Sequence, residues 1–145
     1  MPARVGEIYR DSAFYLDQNS GELKPKFLLV LAVPRNGDLV ARLLTSRYAG
    51  LRPQNPACFH GDPYPGFFLG ILGGQLTRMT WLDLRGLSDL DPWDFAQRQE
   101  RALLCKIGEL PAEQLRPALE CAARADDTTR AQERAIRDAL AEIAP

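Results

Sequence analysis

Three groups of side chains in this 145-residue chain could do chemistry by type and spacing. The first brackets one apolar stretch. Lys24 stands at its entrance, in Lys24-Pro25-Lys26, and Thr45-Ser46 stands at its exit. A cation and two hydroxyls are the residue types that hold a phosphate, the cation by charge and the hydroxyls by donating to its oxygens. The plain alternative is a solvated lysine and a strand-end hydroxyl pair that satisfies backbone groups. The second group is Cys58-Phe59-His60-Gly61-Asp62. In an extended chain Cys58, His60 and Asp62 share a face, and thiol, imidazole and carboxylate are the makings of an activated nucleophile or a metal site. His60 is the only histidine, and the intervals are single residues in a Gly/Pro-rich loop. A structural loop contact is therefore the preferred reading, with no metal expected. The third group is aromatic. Tyr48 and Tyr64 lie in an irregular stretch where rings can stack on bases, whereas Trp81 alternates within a strand and belongs to the core.

The elements that must position these residues follow from hydrophobic pattern. Residues 27–33 form a continuous apolar run of strand length, buried on both faces. Residues 34–38 contain Asn36-Gly37, a hairpin signal. Residues 39–46 return antiparallel, with Leu39, Ala41, Leu43 and Thr45 on one face and Val40, Arg42, Leu44 and Ser46 on the other. Residues 6–10 read as a first strand and 13–17 as its extension or a second one, ahead of a turn at 17–21. Four prolines and three glycines make 48–66 a long irregular loop. Residues 67–72 and 79–85 read as strands, and 86–94 as loop broken at Asp91-Pro92. For 101–110 a strand competes with a helix over 95–104. The end is helical. Leu115, Ala118, Leu119 and Ala122 share a face after Pro111, with Pro117 kinking or starting that helix. Thr129 and Gln132 then have capping-box spacing before a stripe of Ala131, Ala135, Ile136, Ala139, Leu140 and Ile143. The expected fold is mainly β with C-terminal α: five to seven short strands in a small bent antiparallel sheet or partly open barrel, then two helices. Residues 1–124 form the barrel domain with its helix, and 125–145 a helical extension packed on it or on a second copy.

Composition narrows the class. An apolar share of 46% and a charged share of 26% are those of a soluble domain. No apolar run approaches the roughly 20 residues of a membrane span, and the N-terminus has no apolar signal core, so a cytoplasmic location is expected. The net charge of −1 shows no broad nucleic-acid footprint, but residues 1–60 hold 8 Lys/Arg against 5 Asp/Glu while the remainder is net acidic. Cys58, Cys105 and Cys121 are odd in number and far apart, so buried or reduced thiols are expected rather than a disulfide framework.

Taken in order, these features resemble the MazF/PemK (Kid) family of toxin endoribonucleases, which share an SH3-like barrel with the gyrase-directed CcdB toxins. Gly6-Glu7-Ile8-Tyr9 stands where the family opens with Gly-Asp-Ile/Val and an aromatic. Lys24-Pro25 before the apolar strand stands at the family's Arg-Pro, and Thr45-Ser46 at its Thr-Ser. Ile71 to Gln75, then Arg78, follow the family's later strand, glutamine and basic residue, and residues 106–123 its final strand and helix. The resemblance implies metal-independent cleavage of single-stranded RNA by 2′-OH attack on the adjacent phosphate, with no cofactor. Lys24 and Thr45 would be the catalytic pair, facing one another across a phosphate. Ser46, Arg47, Arg42, Gln75, Arg78, His60, Tyr48 and Tyr64 would contact substrate, with Arg42, Arg47 or Arg78 able to serve where lysine replaces the family's arginine. It also implies a homodimer and an antitoxin protein as partner, with no membrane association. Two other readings remain open: a non-catalytic barrel binding protein or nucleic acid through the 48–66 loop, and a CcdB-like topoisomerase poison.

Overall fold

The computed structural model describes residues 2–143. Its sheet grows outward from the hairpin of β2 (Leu23–Ala32) and β3 (Val40–Thr45), in which Phe27 faces Leu44 and Leu28 faces Leu43. On one side β2 pairs with β1 (Glu7–Leu16), and β1 pairs with β7 (Leu104–Glu109). On the other side β3 pairs with β6 (Thr80–Asp83), then β5 (Gly66–Gly70) and the two-residue β4 (Cys58–Phe59). All these pairings are antiparallel, and the seven strands run in the order β4-β5-β6-β3-β2-β1-β7. The sheet is open, with β4 and β7 as its edges.

Alternation in the central strands creates two apolar faces, as a buried sheet requires. Leu29, Leu31, Leu44 and Leu82 point to one face, which α2 (Ala112–Ala123) and α3 (Arg130–Glu142) cover with Leu119, Ile136 and Leu140. Leu28, Val30 and Tyr9 point to the other, where α1 (Pro92–Glu100) brings Phe95 edge-on to Tyr9 at 5.0 Å between centroids. The C-terminal helix thus packs on the sheet of its own chain.

Three helices form among the described residues where two were expected. The extra one, α1, occupies the end of the stretch read as loop and the start of the stretch where helix and strand competed. Asp91 accepts a hydrogen bond from the Asp94 N–H, and Pro92 sits in the first turn. That dipeptide is a helix start, because proline's fixed φ and missing N–H cost nothing there. The helix ends at Glu100, Ala102 adopts a positive φ of 58°, and β7 follows, so each competing reading holds for part of 95–110. Pro117 neither starts nor ends α2. It and Glu113, whose carbonyl the proline leaves without a helix donor, are both exposed residues. The capping box on α3 forms as its spacing indicates, with Thr129 Oγ1 accepting from the Gln132 N–H and Gln132 Oε1 accepting from the Thr129 N–H.

Candidate functional site

The ends of β2 and β3 and the β5–β6 connection enclose a cavity of about 310 Å³. Its wall combines Lys26, Arg47 and Arg78 with Thr45, Ser46, Thr77, Thr80 and Gln75, over apolar Phe27, Leu44 and Leu76. Among the described residues, no carboxylate lines it. Each contribution has a local cause. Pairing of Phe27 with Leu44 sets the β2–β3 register and brings Lys26 beside the end of β3. There Thr45 Oγ1 accepts from the Arg47 N–H at 3.1 Å, a side-chain turn that ends the strand and leaves the hydroxyl proton free to donate outward. Across the cavity, Gly73 and Leu76 exchange two backbone hydrogen bonds at 3.0 and 2.9 Å. This tight turn needs the positive φ of Gly73 (90°) and Gly74 (57°), and it holds Gln75 at the tip.

The electrostatics are one-sided. Lys26, Arg47 and Arg78 enter no ion pair among the described residues, which leaves their charge for a ligand. Burial, and then the neighbouring charge of Arg47, push the Lys26 ammonium below the usual lysine pKa, while Asp83 pulls it partly back. That carboxylate is itself engaged, accepting from Tyr48 Oη at 3.0 Å and from Arg85 at 2.7 Å. The arrangement can bind an anion, and its lysine parts with a proton more readily than an ordinary one.

Of the residues picked out by sequence, Thr45, Ser46, Arg47, Gln75 and Arg78 meet in this one cavity. Lys24 is absent from the lining. It lies across from Tyr15 on β1 and is drawn toward Asp17 and Glu22, at 3.9 and 3.8 Å. Lys26, two residues on and on the same strand face, takes the place expected of Lys24. Turn arithmetic could have found it, since any hairpin centred near Asn36-Gly37 brings Lys26 closer than Lys24 to Thr45.

Arg42 is not available to a substrate, because it is 1% exposed and faces α3. It donates to Ala41 O at 2.8 Å and to Gln132 Oε1 at 3.0 Å, and burial lowers its pKa. Tyr48 is likewise buried, against Trp81 and Tyr64 and over Gly66, where a Cβ would come within 2.9 Å of its ring. A loop tyrosine expected to stack on bases is instead part of the packing. Tyr64 is half-buried beside it. Trp81 is core, as its alternation indicates.

His60 lies away from the cavity. Its Nε2 donates to the Cys121 carbonyl at 2.9 Å. The cysteines correct the expectation of separate thiols: Cys58 and Cys121 form a disulfide, with Cα atoms 5.8 Å apart, and only Cys105 is a free, exposed thiol. Spacing along the chain did not reveal this, because the contact arises from α2 packing over β4. Asp62 does not join the group that Cys58, His60 and Cys121 form.

No helix among the described residues is long and apolar enough to cross a membrane. No protein-family model, curated protein or solved structure matches the chain.

Proposed function

We propose that this protein binds single-stranded RNA through the basic cavity and cleaves it in the manner of the MazF/PemK toxins, with Lys26 in the role first read onto Lys24. The observation that carries the reading is the convergence of Lys26, Arg47, Arg78 and Thr45 on one carboxylate-free cavity. Arg47 and Arg78 stabilise the extra negative charge that a phosphate gains as a 2′-oxygen adds to it. Thr45 donates its hydroxyl proton to a non-bridging oxygen. The 2′-OH gives its proton to water as the O2′–P bond forms, and the Lys26 ammonium gives a proton to the 5′-oxygen as the P–O5′ bond breaks, to be reprotonated from solvent. The products are a 2′,3′-cyclic phosphate and a 5′-OH. The resemblance also supports a cytoplasmic toxin-type protein acting as a homodimer and restrained by an antitoxin.

The 48–66 loop gives less support to the binding-module reading. Arg52 pins it by donating to the carbonyls of Tyr64 and Gly61 and by stacking on Phe59 at 3.8 Å. The test is incubation with a mixed RNA pool in EDTA. Cyclic-phosphate ends are expected, with Lys26→Met slowing cleavage about 10²–10⁴-fold, the span of acid–base catalysis. Thr45→Val should slow it about tenfold or more, as loss of a hydrogen bond to a charged group does. Absence of such ends at high protein excess would remove the enzyme reading. Absence of RNA retention in a filter assay would remove RNA as ligand.

A further inference from the structure

Outside that cavity, the chain's one imidazole meets two of its three cysteine sulfurs. His60 Nε2 lies 3.5 Å from Cys58 Sγ and 3.6 Å from Cys121 Sγ. All three potential ligand atoms fall within 4.8 Å of one another. We propose that Cys58, His60 and Cys121 are a zinc site, and that the Cys58–Cys121 disulfide is its oxidised, metal-free form. The inference is independent of the RNA reading.

Geometry favours this set. With Zn–S near 2.3 Å and Zn–N of 2.0–2.1 Å, the S···N edge of a tetrahedron is roughly 3.5 Å. Both S···N separations already have that length, so reduction needs only to let the sulfurs move apart around the ion. Charge favours it as well. Two thiolates and a neutral imidazole cancel the dication, which suits ligands set against the apolar core: Cys121 is fully buried, and Cys58 packs against the same cluster. Coordination uses the Nε2 lone pair, so the ring proton moves to Nδ1 and the Cys121 carbonyl loses one donor. That carbonyl keeps the Arg124 N–H at 3.2 Å. The fourth position is left to water. His60 also borders a cavity of about 280 Å³ with Asp62, Asp126 and Asp127, through which water and the ion can arrive.

The chemistry balances. A phosphine reductant and water convert the disulfide to two thiols and a phosphine oxide. Zinc then displaces the two thiol protons. Hydrogen peroxide reverses the sequence: the two thiolates give up two electrons and join, while peroxide with two protons becomes two waters and the ion is released. The metal and the disulfide are thus alternative clasps between the edge strand β4 and helix α2, joining positions 63 residues apart.

The experiment uses the full chain, reduced with phosphine under anaerobic conditions and titrated with Co(II) and then Zn(II). One equivalent of Co(II) should give the absorption of a tetrahedral thiolate-bound ion, and Zn(II) should displace it. His60→Ala should weaken uptake at least tenfold, while its oxidised form, with the disulfide intact, reports whether the variant folds. Cys105→Ser should bind as the wild type does. Peroxide should release one zinc per disulfide formed. The proposal is overturned if the reduced protein takes up no stoichiometric metal, if His60→Ala binds as tightly as wild type, or if uptake follows Cys105.

Discussion

Charge is handled in opposite ways in two neighbouring regions of this sheet. Along β1 each buried carboxylate meets a cation: Lys106, shared with Glu109, lies 3.0 Å from Glu7, and Arg98 pairs with Asp11. Tyr9 Oη and the Arg4 N–H complete the shell around Glu7. Where β3 ends beside β2, three cations share one cavity with hydroxyls and, among the described residues, no acid. The first pattern cancels charge and fixes strands and α1 in place. The second gathers like charge, which destabilises the free protein and is relieved when an anion enters. The contrast separates residues that hold the fold from residues proposed to meet a ligand, and it can be broken by experiment.

The largest effect is expected on the matched side. Arg98→Ala leaves Asp11, 1% exposed at its side chain, without its cation, and should cost about 3–5 kcal/mol in urea unfolding. RNA retained per folded molecule should not change. A loss under about 1 kcal/mol would mean that solvent reaches Asp11 and the contrast is overdrawn.

Lys26→Met should behave in reverse, losing RNA cleavage while the thermal midpoint holds or rises. The sign follows from linkage. The folded pKa of Lys26 lies below the ordinary 10.5, so the unfolded chain holds more protons between the two values. Wild-type stability from this group therefore rises with pH across that window, and its penalty is fully present below it. The advantage of Lys26→Met should be seen at neutral pH and vanish above the ordinary lysine value. A midpoint that falls at neutral pH would mark Lys26 as structural.

Smaller effects belong to the arginines. Each of Arg47→Ala and Arg78→Ala should reduce the salt dependence of RNA binding by about 0.7 in the slope of log K against log salt, the single-strand value for one phosphate contact. Unchanged slopes would place the backbone elsewhere. Smallest of all is Lys24→Ala. Its partners are 3.8 Å or more away at a half-exposed site, so stability should move by under about 1 kcal/mol and RNA affinity by less than twofold. A large loss of cleavage there would restore Lys24 to the catalytic role and sink the case for Lys26.

What could be read in advance depended on whether a residue's environment is local. The apolar run and Asn36-Gly37 specify the central hairpin from neighbouring residues alone, and Thr129 with Gln132 specifies its cap in the same way. Thr45-Ser46 was legible because strand-end hydroxyls sit at a position the pattern defines. The choice between Lys24 and Lys26 was not, because it depends on acids in the β1–β2 turn that draw one lysine away. Arg42 was read as a substrate contact, and only α3, 90 residues later, supplies the Gln132 oxygen that lets it be buried. Tyr48 and the Cys58–Cys121 contact were hidden for the same reason, since their partners come from distant elements. Asp91-Pro92 differs, for the signal was present and ambiguous: the same dipeptide ends one element and begins the next.

The pairing of the first strand with the last has a consequence during synthesis. While β1 leaves the ribosome, the partner that covers its outer edge does not yet exist, and Glu7, Asp11 and Tyr9 wait without Lys106, Arg98 and Phe95. The nascent chain carries a half-finished sheet until β7 emerges, and long-range closure of this kind is slow. For as long as translation lasts, the exposed flank of β1 is a surface that chaperones, or the same strand on a neighbouring nascent chain, can occupy.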